Sequence, residues 1–200
     1  MGNFSNLSVT DVGRGMLADL QAGAVLIPTR IVIGSGSMPA GKTTQTMTAV
    51  VSPVTDLAIN MRKRSANGYV TFGGVYSNFG IMKEFHFREL AMFCRAEYRD
   101  ESGNVTQAVD ECLFCYGNSG DAADYMPAYS TSAVVEKQIF ITSWIGYGAV
   151  AELVIESGVY VSQQQLAEAM ASIKLDITDA GTGKKYKWGI ENGLAFLEEV

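Results

Sequence analysis

The sequence predicts an α+β fold, mainly antiparallel β (sheet or sandwich), with an N-terminal helix and a C-terminal helix plus β-hairpin appendage. β-Branched apolar runs broken by Gly and Pro recur from Thr29 to Val154, as regularly spaced antiparallel strands require. A helical period occupies the segment before Gly23, and the pattern changes again after Val161. We place a main domain at residues 1–160 and an appendage at residues 161–200.

The first helix is expected over residues 11–21. Thr10 stands at its N-cap, Val12, Met16, Leu17 and Leu20 repeat at helical spacing, and Gly23 stands where a left-handed residue ends a helix. The expected strands are Arg30–Ile33, Asp56–Met61, Tyr69–Val75, Glu84–Phe93, Glu111–Tyr116, Val134–Trp144 and Ala149–Val154. Asn67-Gly68 and Ser102-Gly103 read as hairpin turns. The apolar end of Val135–Thr142 suggests a strand covered on both faces. Past Val161, Ser162-Gln163-Gln164-Gln165 has the form of a capping box. Leu166, Met170 and Ile173 then share one face of a helix over residues 163–174. Two short strands around Glu191-Asn192-Gly193 complete a hairpin that needs a partner surface.

Composition excludes several classes of function. A chain of 200 residues that is 48% hydrophobic can bury roughly 70% of its unfolded surface, enough for a self-sufficient core. The apolar runs fall far short of the roughly 20 residues that cross a bilayer, so no membrane insertion is expected. Nor does Met1-Gly2-Asn3-Phe4-Ser5 form a signal peptide, which points to a soluble product of the cytoplasm. With a net charge of −6 and no basic cluster longer than Arg62-Lys63-Arg64, nucleic acid is not an expected partner. The three cysteines are too few and odd in number for a secreted disulfide framework.

One motif points to chemistry. Gly36-Ser37-Met38-Pro39-Ala40-Gly41-Lys42-Thr43 has the spacing of a phosphate-binding loop, in which amides cradle phosphates, the lysine reaches their oxygens and the threonine ligates magnesium. Such a loop must open a helix. The residues that follow, Thr44 to Pro53, are rich in β-branched side chains and end at proline, so the segment reads better as a plain loop. Cys112-Leu113-Phe114-Cys115 has the spacing of a zinc half-site, yet a regular strand turns residues three apart to opposite faces. Metal there would need Cys94 and His86 as well, and buried small thiols are the better reading. His86 alternates with Phe85 and Phe87 and lacks a nucleophile to serve. Asp121 and Asp124 read as turn formers rather than a calcium loop. No catalytic residue, cofactor or metal is therefore expected.

Four segments in fixed order carry a resemblance: Leu7–Gly15, Thr29–Gly36, Arg88-Glu89-Leu90-Ala91-Met92-Phe93, and Leu113–Pro127. Together they resemble the phage tail-collar fibre family over roughly residues 6–161, although Cys94, Cys112 and Cys115 depart from its pattern. The resemblance implies a structural virion protein rather than an enzyme: a tail fibre or fibre adaptor that docks on the baseplate or tail of a phage or related contractile particle. Its partners would be baseplate or tail proteins and a distal fibre or receptor-binding protein, and Arg88-Glu89 belongs to its signature as a candidate interface pair. The residues add that a three-turn apolar seam is too short to stand alone. Leu166, Met170 and Ile173 are therefore expected to build a homotrimer. The alternative is a receptor- or glycan-binding short fibre that uses Tyr186, Trp188 and Phe196 on the hairpin.

Overall fold

The computed structural model describes residue 4 and residues 7–64, 67–130, 132–146, 150–151, 176–178, 182, 185–191 and 194–199. Side chains of 150–151, 176–178, 185–191 and 194–199 are left undescribed. The chain divides into two compact units, Met1–Tyr160 and Val161–Val200.

In the first unit, β1 (Ser8–Val9) leads into helix α1 (Asp11–Gln21). Thr10 caps the helix as its composition predicts, its hydroxyl accepting from the Gly13 amide at 3.0 Å. The same hydroxyl donates to the Leu113 carbonyl, so the cap also fixes the helix to the sheet beneath it. Gly23, at φ +103°, ends the helix in the left-handed region.

The strands are longer than their patterns suggested: β2 (Val25–Gly34), β7 (Glu89–Arg99) and β8 (Val105–Asn118) form the centre of a six-stranded sheet. Its order is β1-β8-β7-β2-β11, with β3 (Pro53–Leu57) also on β2 and β11 being Val150–Ala151. The pairing is antiparallel except for β11, which runs parallel to β2. Pro28 hid the start of β2 from a sequence reading. The ladder absorbs it beside an irregularity between Pro28 and Arg30, where its missing N–H does least harm.

A second sheet has the order β10-β5-β4, formed by β4 (Met61–Arg64), β5 (Tyr69–Ser77) and β10 (Glu136–Trp144). β6 (Phe85–Phe87) and β9 (Asp124–Met126) pair as a separate ribbon. Two expected strands are therefore each divided. Asp56–Met61 becomes β3 and β4, which belong to different sheets, and Glu84–Phe93 breaks at Arg88. At that break the Arg88 amide donates to Gly34 and its carbonyl accepts from Ser119, each a partner outside the β6 ribbon. The main core lies between α1, the second sheet and one face of the large sheet, with Met16, Leu20, Phe72, Tyr76, Met92, Phe114 and Ile141 buried together. β10 departs from the expected two-sided cover: Ile139 and Ile141 are buried, whereas Phe140, Thr142 and Trp144 face outward.

In the second unit, β13 (Lys185–Glu191) and β14 (Leu194–Glu199) pair antiparallel, as the expected hairpin requires. A third strand that the sequence did not suggest, β12 (Asp176–Thr178), adds to β13. The helix expected over 163–174, with Leu166, Met170 and Ile173, lies outside the described residues.

Candidate functional site

The polar centre of the first unit is Glu89, the residue with which β7 begins. Strand alternation turns Glu89 and Ala91 toward the outer face of the large sheet, opposite Leu90 and Met92. That face is covered by the loop over residues 35–52, whose Met38, Met47 and Val50 pack on Val32, Ala91, Phe93, Leu113 and Tyr116. Glu89 sits beneath the loop and is fully buried.

Its carboxylate accepts four hydrogen bonds from its own chain. Oε1 takes the Val51 amide at 2.7 Å and the Tyr116 hydroxyl at 2.8 Å. Oε2 takes the Gly36 amide at 2.7 Å and the Ser52 amide at 2.9 Å. A carboxylate offers about four lone-pair directions, so this one is saturated and shielded from any substrate. Asn118 extends the network, donating to the Gly36 carbonyl at 2.9 Å and to the Tyr116 oxygen at 3.2 Å. Burial, with the Glu89 carboxylate beside it, pushes the Tyr116 phenol far above its ordinary value against the opposing bond from Asn118. Arg88 does not pair with its neighbour. Its half-buried guanidinium donates to the Ser35 carbonyl at 3.4 Å, while Glu89 is turned under the loop.

This network accounts for the phosphate-loop pattern. A side chain on Gly36 would place its Cβ 2.6 Å from Glu89 Oε2 and 2.6 Å from Val51 Cβ, so glycine is required by the close approach of the backbone to the carboxylate. The Gly36 amide that a phosphate loop would present to its ligand is turned inward onto this internal anion. After it come two turns, closed by Lys42 N to Pro39 O at 3.1 Å and Thr46 N to Thr43 O at 3.1 Å, and then irregular, bent chain to β3. Lys42 and Thr43 are exposed on these turns, and no helix follows to aim its N-terminus at a phosphate.

The cysteines lie differently from the strand-based expectation. The β7–β8 register slips between Met92 and Phe93, leaving Phe114 as an extra residue. The slip turns Phe114 and Cys115 to the inner face that Cys112 and Cys94 also share, while Leu113 and Tyr116 face outward. All three thiols are free. Burial pushes Cys94 well above its ordinary value, with Cys115 and Cys112 adding to the effect. Cys115 is pushed up to about 12 by burial, against a bond to Ser143 Oγ at 3.6 Å. Thiols held protonated in this way are poor nucleophiles and poor metal ligands. Among the described residues no group of three His, Cys, Asp or Glu side chains could hold a metal ion.

His86 is exposed on β6 and meets Tyr125 edge-on, with ring centroids 6.1 Å apart. Asp124 pairs with Lys137 at 3.4 Å, and Asp121 lies in a short 3-10 turn. Beyond the loop, the outer sheet face carries Arg30, which bridges Asp56 and Glu111 at 2.9 Å each and lies 4.2 Å above the Phe93 ring. These are partly exposed ion pairs of modest worth. A shallow cavity of about 130 Å³ opens between β3 and β5, lined by Thr55, Asp56, Leu57, Val75, Ser77 and Phe79. Tyr186 and Trp188 fall on β13 and Phe196 on β14, where only the backbone is described.

No protein-family model matches the chain, and neither does any curated protein or solved structure.

Proposed function

We propose that this protein is a structural virion component: a tail fibre or fibre adaptor that attaches to the baseplate or tail of a phage or phage-like contractile particle and presents a fibre or receptor-binding protein. One observation supports this reading most. The four segments that carry the family resemblance, widely separated in sequence, meet on the large sheet through two sets of hydrogen bonds. Thr10 reaches Leu113, Gly36 reaches Glu89, and Tyr116 and Asn118 close the set from β8. The signature thus contributes to one scaffold rather than to scattered surface features.

The chemistry agrees with a scaffold. Glu89 spends its acceptors on its own chain, the thiols of Cys94 and Cys115 are buried and pushed up by that burial, and the loop at residues 35–52 lacks the helix a nucleotide site needs. In this reading residues 161–200 assemble three copies through Leu166, Met170 and Ile173. The second reading, a receptor-binding short fibre, draws on the aromatic residues of the β13–β14 hairpin, Tyr186, Trp188 and Phe196.

The deciding measurement is the solution mass of the full chain beside a chain ending at Val161, with and without ATP and magnesium. In dilute solution, where the first unit alone is not expected to associate, a trimer that falls to monomer on truncation and ignores nucleotide is the expected result. A monomer stabilised by ATP would overturn the reading. Loss of host adsorption with normal particle assembly on truncation would favour the receptor-binding alternative.

A further inference from the structure

The two edges of the second sheet are built in opposite ways. β4 is short, and Arg62, Lys63 and Arg64 are exposed along it, a pattern that deters pairing with another chain. β10 has nine residues, and from Gln138 to Trp144 it contains no charge and no proline. Its register on β5 runs unbroken from Glu136 to Trp144, so no bulge bends the edge away. Among the described residues β5 is its only strand partner.

The side chains beside this edge are apolar and outward. Phe140 is 46% exposed, Trp144 37%, and Tyr69, opposite Trp144 on β5, 46%. Phe140 is held flat against the sheet because its register partner is Gly73, where an added Cβ would lie 2.6 Å from the Phe140 ring. The result is an edge without a bulge, uncharged from Gln138 to Trp144 and flanked by partly exposed aromatic rings.

We propose that β10 pairs antiparallel with β10 of a second copy of this chain, joining two three-stranded sheets across a two-fold axis. The strand is complementary to itself. Centred on Phe140, the pairing sets Ile139 against Ile141 on the buried face and the two Phe140 rings against each other on the exposed face. Glu136 and Lys137 then lie beside Trp144 and Ser143 of the other copy, so the charged ends sit at opposite ends of the joint and no like charges meet. A strand from a charged foreign peptide finds no complementary charge between Gln138 and Trp144. This contact does not depend on the C-terminal assembly of the attachment reading.

Amide hydrogen exchange of the full chain, dilute and concentrated, tests the pairing. Alternate amides of residues 138–144 are expected to exchange at least about tenfold more slowly in the concentrated sample. Phe140→Lys with Thr142→Lys should abolish that difference. Thr142→Lys alone, whose side chain faces solvent, serves if the double variant unfolds at lower temperature than the parent. Exchange in β10 that is independent of concentration, or slowed equally in the variants, overturns the proposal. Assembly through residues 161–200 would change the mass and leave these amides unaffected, so the two readings fail separately.

Discussion

The two faces of the large sheet are covered by opposite means. On the inner face, α1 and the second sheet contribute many apolar side chains, among them Met16, Leu20, Phe72 and Ile141, and no single one of them orders the rest. On the outer face, a loop with few apolar contacts is held down by one carboxylate bonded to Gly36, Val51, Ser52 and Tyr116. Apolar cover distributes its stabilisation over many contacts, whereas polar cover concentrates it, because removing the acceptor strands several buried donors at once.

The sharpest way to break this contrast is Glu89→Ala. It leaves three amides and a phenol without their acceptor, and should cost about 4 kcal/mol in urea unfolding. It should also expose the loop at residues 35–52 to protease before the sheet itself unfolds. On the inner face Phe72→Leu should cost only about 1.5 kcal/mol, since neighbouring apolar groups remain to close around it. Loss of comparable size in the two variants would remove the distinction.

The inner face has its own sensitivity, to alkali. A Cys115 thiol held at about 12 in the folded protein has an ordinary value of 9.0, so above that value the unfolded chain gives up its proton first. Stability is then complete below pH 9.0 and falls as pH rises toward about 12. The urea midpoint should drop between about pH 8 and about pH 10, and Cys115→Ala should remove about 1 kcal/mol of that drop. The smallest expected effect is at Lys42, exposed on the loop. Lys42→Ala should change stability by less than about 0.5 kcal/mol, with or without ATP.

The legible parts of this fold were those governed by local rules. Thr10, the period of α1 and Gly23 defined the first helix because caps and left-handed ends are set by adjacent residues. The antiparallel β character followed from β-branched runs between turn residues. Long-range choices were not legible. Nothing local says that β3 and β4 part company into separate sheets, or that Arg88 separates β6 from β7. The extra residue at Phe114 defeated the alternation rule for Cys112 and Cys115, since one unpaired residue reverses facing beyond it. The Glu89 network was the largest omission. Its signals were present as Gly36, Glu89 and Tyr116, but their meeting depends on strand register and on a loop folding back, neither of which spacing reveals.

The Glu89 network also has a consequence in time. Its donors lie 53, 38, 37 and 27 residues away along the chain, so no partner is local. Burying the side chain before they arrive would cost several kcal/mol. Closing those intervals also requires the β2–β7–β8 ladder to be in place, because that ladder carries Glu89 and Tyr116 to one face. Capture of the loop is therefore predicted to be a late step on the folding route: Glu89→Ala should speed unfolding and leave the folding rate nearly unchanged, and a variant that slows folding instead would refute it.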